Sequence, residues 1–258
     1  TMSSAAAAVV ADRGDEVRVT EGHTEEFEKV FCLSTSGVRW IGEGWGTKVP
    51  TLTISGAIHG VALAAAGLEF ENFRYAAPPI DAALSMIKVR AAGCRVKDIV
   101  GIGSNNSNNF VDCIIVENGA NDLTLENIKV WTGEVAVTSF LHFTNPISRF
   151  SAAGLTFEGS VATAGIYDDS SARIKEAVMK DLHIVVRGSA KSAVTLDTVD
   201  SRGSISDSFF AGTRTVIAGA AVNRVFEVED GWRVSKIRTL EETTSLAQAG
   251  VGPAEDTD

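Results

Sequence analysis

The residues of this chain whose types could do chemistry are few and scattered. Asp168 and Asp169 stand side by side in a segment, 165–176, that reads as a loop. A glycosidase needs two carboxyl groups held roughly 5–9.5 Å apart, and a lyase needs a calcium cluster with a basic residue beside it. Neighbouring side chains in an extended loop diverge, so the two aspartates are not by themselves a catalytic dyad, and the plainer reading is a pair of surface turn carboxylates. The histidines His23, His59, His142 and His183 form no H-x-x-x-H pair, which favours solvated or packed rings over metal ligands. Gly101-Ile102-Gly103 begins a glycine-containing loop, but no helix follows to hold a phosphate. The polar run 104–109 then reads as a long turn or an intersubunit contact. For Trp45 and Trp131 the plainer reading is an interface or core role, with stacking on sugars as the alternative if they are exposed. The expectation is therefore no catalytic residue, no cofactor site and no metal site.

Whatever these residues do, a folded scaffold must position them. The chain has 258 residues, 45% hydrophobic and 22% charged, enough apolar material for a large core. Its net charge of −10 argues against nucleic acid or anionic lipid as partners, because both require clustered positive charge. No apolar run reaches the roughly 18 residues of a membrane span, and 5–11 lacks the basic flank and apolar length of a secretory signal. The expected partners thus include no nucleic acid and no membrane. Cys32, Cys94 and Cys113 are odd in number and lack a C-x-x-C pair, favouring neither a disulfide framework nor zinc, and suiting a reducing compartment.

The strongest signal is an internal repeat. An eight-residue pattern places apolar residues at its first, third, sixth and eighth positions and Asn, Asp or Gly at its fifth. Copies begin at Leu68, Cys94, Leu123, Phe150, Ala177, Gly203 and Trp232, spaced 26–29 residues apart, with the last two degraded. A weaker copy, Val38-Trp40-Gly42-Trp45, lies upstream. Inward positions that step by two, then three, then two describe two short strands rephased at a bend. The fifth residue is that bend: Asn72, Asp98, Asn127, Gly154, Asp181, Asp207 and, out of pattern, Lys236. Asn, Asp and Gly enter the left-handed backbone region most cheaply. A third apolar segment precedes most copies, as in Val61-Leu63, Ile87-Val89, Ile114-Val116, Leu141-Phe143 and Val194-Leu196.

Three strands per unit of about 27 residues predict an all-β fold: a right-handed parallel β-helix of about seven to eight coils with a short N-terminal helical cap. A leucine-rich repeat has a similar period, but there the Asn follows the second Leu by three positions, whereas Asn127 follows Leu125 by two. The expected organisation is a cap over 1–35, the β-helix over 36–240 and an acidic tail over 241–258. Within the cap, 5–11 reads as a short helix, or alternatively as a frayed alanine tail. The tail carries Glu241, Glu242, Glu255, Asp256 and Asp258 without a basic residue.

Outward positions on the strand before each bend are solvated. Those after it include Val100, Ile102, Trp131, Val185, Phe209 and Leu240, an apolar stripe that another chain or the chain's own C-terminal segment would cover. A homotrimer is the expected assembly.

The opening Gly14-Asp15-Glu16-Val17-Arg18-Val19, Gly22-His23-Thr24-Glu25-Glu26 and Gly37-Val38-Arg39-Trp40-Ile41-Gly42-Glu43-Gly44 resembles the entry of right-handed, pectin-lyase-like β-helix proteins. The layout is similar to that of structural proteins of tailed bacteriophages, over about residues 14–240. The resemblance implies a non-enzymatic virion component assembled in host cytoplasm. Its form would be a trimeric capsid decoration or cement protein bound to the major capsid protein or other virion subunits. The alternative is a tail spike that binds or cleaves a host glycan.

Overall fold

Each repeat copy becomes one coil, because its four apolar positions all turn inward. Leu68, Phe70, Phe73 and Tyr75 are fully buried, and so are Leu123, Leu125, Ile128 and Val130. The computed structural model describes residues 1–80, 83–103, 109–187, 191–196, 198, 200–212, 226–228 and 232–241. These wind into a parallel β-solenoid of about seven turns with almost no helix. Along the strands before the bends the coils stack in constant register, so that Val17, Trp40, Phe70, Val96, Leu125, Ala152, Met179, Ile205 and Val234 form one ladder; on the third-strand face the register shifts once, between Val137 and Ser139. The third segments stack likewise, Val61 on Ile87, Ile114, Leu141, Ile166 and Val194. One isolated coil buries too few side chains to offset its backbone entropy, so burial of each layer against the next supplies the stability.

The bends lie where the spacing puts them. Asn72, Asp98, Asn127, Gly154, Asp181, Asp207 and Lys236 all have φ between 48° and 66°. Lys236 shows that position, not residue type alone, imposes the conformation. Asn127→Val is expected to cost about 1–2 kcal/mol, because a β-branched residue resists the left-handed region while the exposed site offers no burial in return; urea titration by circular dichroism measures it.

A second left-handed column was not foreseen. Asp12, Gly37, Gly67, Gly93, Asp122, Arg149 and Glu176, six of them immediately preceding a copy, have φ between 54° and 69°. Apart from Glu176, their N–H groups are seen to donate to the next coil, as in Gly67 N to Ala92 O at 2.9 Å and Gly93 N to Asn121 O at 2.8 Å. Backbone bonding therefore continues through the corner, and each coil is held at two fixed bends.

Some expectations are corrected at the N-terminus. The helix is Met2–Ala6 rather than 5–11. Thr1 caps it, and Met2 is the residue it buries, on the edge of the core. The left-handed turns at Asp12 and Gly14 claim the residues that follow. Within the segment expected as a cap, Glu16–Val19, Thr24–Phe27 and Phe31–Leu33 already form a coil paired with the next. Trp45 does not complete the weak copy: the chain leaves the coil after Gly42 and returns at Thr51–Ile54, whose buried Leu52 and Ile54 take the inward places. The segment 165–176 is not loop throughout, since the strand Thr156–Asp168 runs to its fourth residue.

At the other end Trp232–Glu241 pairs with Gly203–Gly212, and no further described strand covers it. The tail 242–258 lies outside the described residues, as do the side chain of Leu240 and most of the polar run after Gly103.

Candidate functional site

The three strand faces differ in chemistry. Before the bend, outward charges alternate along the stack: Glu16, Arg39, Glu69 and Arg95 are register partners. Arg39 binds Glu16 at 2.9 Å and Glu69 at 2.7 Å, Lys97 binds Glu71 at 3.0 Å, and Arg95 reaches across to Glu126 at 2.7 Å. This face is charge-balanced and solvated.

The third-strand face carries a polar cluster. His59, Ser85, Asp112 and Ser139 fall on one register column. Lys88, Ile115, His142 and Tyr167 fall on the next outward one. His142 lies between two carboxylates, Nδ1 3.2 Å from Asp112 and Nε2 3.0 Å from Asp169, and its ring centroid is 5.3 Å from that of Tyr167. Burial works against its charge, but the hydrogen bonds and charges of Asp112 and Asp169 overcome that and raise the imidazole to about 9. It is an imidazolium at neutral pH, donating through both nitrogens.

Three coils away His59 behaves oppositely. Burial, with the neighbouring Lys88 ammonium, lowers its pKa. Lys88 Nζ, which can only donate, stands 3.3 Å from Nε2, so Nδ1 carries the proton and donates to Ser85 Oγ at 2.9 Å.

These contacts define what the cluster can do. A nucleophilic serine needs a base to receive its proton and access to substrate, but Ser85 accepts from His59, and Ser139, which donates to Asp112 at 2.6 Å, is fully buried beneath a carboxylate already paired with His142. An inverting glycosidase needs room for a water between its carboxylates; between Asp112 and Asp169 the His142 ring fills that room. The cluster is a clasp tying three adjacent coils together.

The two sequence-selected aspartates diverge. Asp168 is 1% exposed, stacked on Phe143 inside the solenoid, and its carboxylate accepts from Thr198 N at 3.2 Å. The Asp169 side chain is 41% exposed and faces His142. His23 pairs with Glu25 at 3.0 Å, and the His183 ring packs on Phe209 at 4.9 Å. Gly101 and Ile102 end a strand rather than opening a loop. Burial pushes the Cys94 thiol up to about 11 and that of Cys113 well above its usual value, so neither is a ready nucleophile at neutral pH. Among the described residues no three His, Cys, Asp or Glu side chains are arranged to hold a metal ion, and no helix is long and apolar enough to cross a membrane.

After the bend, the outward face is less balanced. Trp131 is 41% exposed, and Val100, Ile102, Val185 and Phe209 are half-buried. Lys129, Glu158 and His183 interrupt the apolar stripe. Trp45, 85% exposed, overhangs a groove of ≈ 280 Å³ at the bend column, lined also by Asn72, Arg74, Asp98, Asn127 and Lys129.

Sequence reasoning missed the His142 clasp and the Trp45 groove. The clasp had a signal: Ser85, Asp112 and Ser139 are 27 residues apart, as are Lys88, Ile115 and His142, which is the coil period applied to polar residues. No family model, no curated protein and no solved structure matches the chain.

Proposed function

We propose that this protein is a non-enzymatic structural component that works as a rigid prism and associates through the face after the bends. The observation that carries this reading is the contrast between faces. From Glu16 to Glu126 the charges before the bend are paired across coils, and Val178 is exposed there singly between Ser151 and Ser204, whereas the face after the bend exposes Trp131 beside half-buried Val100, Ile102, Val185 and Phe209. Apolar side chains on the outside of a solenoid gain from being covered. A homotrimer buries such a face symmetrically, and several weak contacts per trimer then add by avidity. The similarity of the layout over about residues 14–240 to structural proteins of tailed bacteriophages extends the proposal to a virion, as a decoration or cement protein on the capsid.

Light scattering tests it. The native chain is expected at three times its monomer mass, with Phe209→Asp and Trp131→Asp shifting it to monomer. An unchanged mass in both variants defeats the reading. A second reading, a tail spike that recognises a host glycan, is favoured by the display of Trp45 over its groove.

A further inference from the structure

Several basic side chains on this chain are matched to acids in an adjacent coil, as Arg39, Arg95, Lys97 and Arg149 are. Arg74 and Lys129 are not. They occupy one outward column, Arg74, Val100, Lys129, about 10 Å apart along the stack at the usual inter-strand spacing. Neither side chain makes an ion pair or hydrogen bond among the described residues. Both border the Trp45 groove.

The loop that presents Trp45 is built rather than loose. Asn72 Nδ2 donates to Gly42 O at 2.7 Å and to Gly44 O at 3.0 Å. Glu43 N donates to Val19 O at 2.7 Å and Gly22 N to Lys48 O at 2.6 Å. Gly44, at φ 89°, is closely enclosed: a Cβ there would lie 2.9 Å from both Lys48 O and Glu21 Cβ. Four hydrogen bonds and an obligatory glycine thus hold an indole out in solvent, over a floor of bend residues.

We infer that this groove binds an oligosaccharide containing a carboxylated sugar. The inference rests on the second reading above and gives it a site. An indole face accepts the C–H face of a sugar ring, the two unmatched cations take the sugar carboxylate, and Asp98 and Asn127 offer hydrogen bonds to hydroxyls. A phosphate polymer fits less well, because it has no C–H face to lay against the Trp45 indole.

The test is the full chain on an array of immobilised oligosaccharides, half carrying uronate or sialate residues and half neutral. Retention on acidic members is expected, weakened by salt. Trp45→Ala should reduce affinity roughly thirty-fold, and Arg74→Ala with Lys129→Ala should abolish the preference for acidic over neutral sugars. All three side chains point outward, so circular dichroism of the variants should match the parent. Acidic-sugar retention that survives Trp45→Ala, or a preference for neutral sugars, overturns this site while leaving glycan binding elsewhere on the chain. Retention of no sugar overturns both. A Trp45→Ala variant whose sedimentation mass changes shows the groove to be a contact between copies, and the inference then fails.

Discussion

Gly42→Ala is expected to destabilise the protein by about 3 kcal/mol, at the upper end of what overpacking costs. Gly42 is buried at the end of the strand Arg39–Gly42, and its φ is not positive, so alanine's backbone preference is no obstacle. The obstacle is the next coil. An added Cβ would press into the carbonyl oxygen of Asn72 and meet Pro50 Cδ at 3.0 Å. Asn72 has little freedom to retreat, being a left-handed bend with φ 62° whose side chain is bonded back to Gly42 and Gly44. Gly46→Ala is the matched control: its φ is 61° but nothing lies within 4 Å of a Cβ there, so about 1 kcal/mol of backbone strain is expected. Urea midpoints read by far-ultraviolet circular dichroism compare the two. Equal midpoints would mean that coil-to-coil contact is softer than constant register implies.

His142→Ala should cost about 3 kcal/mol at neutral pH, because it strips the counter-charge from Asp112, whose side chain is only 7% exposed. The native protein should show the same linkage through pH. The His142 pKa in the folded state, about 9, lies above the ordinary 6.5. Its contribution is therefore fully present below pH 6.5 and lost as pH rises through 9. The expected loss is about 2 kcal/mol, less than the full shift implies because Asp169 is partly in water and screened. Melting temperatures at pH 6 and pH 9.5 measure it, with His142→Ala as the variant in which this decline disappears. A native melting temperature indifferent to pH across that range would mean that the clasp carries no charge.

The fold was legible because the repeat encodes both inward ladder and bend, and steric cost restricts the bend to few residue types. The second bend column was harder to see. Gly37, Gly67, Gly93 and Asp122 hint at it, but Arg149 and Glu176 do not read as turn residues, and Arg149 is held left-handed by its N–H bond to Lys175 O in the neighbouring coil. The candidate sites depend on which residues face each other across coils. Asp112 and Asp169 lie 30 residues before and 27 residues after His142, so local motifs cannot pair them. Trp45 was misplaced for a related reason: apolar spacing counts a tryptophan as core, and only the excursion between Arg39–Gly42 and Thr51–Ile54 puts it in solvent.

Because each described winding pairs with the one before and the one after, the molecule is in effect a gauge whose reach is set by counting. Duplicating residues 123–149 in place would add one graduation and lengthen the shaft by about 4.8 Å, keeping each pre-existing strand junction and creating one new one between the two copies. Evolution, or an engineer, can therefore set the distance between whatever grips the two ends without redesigning either grip.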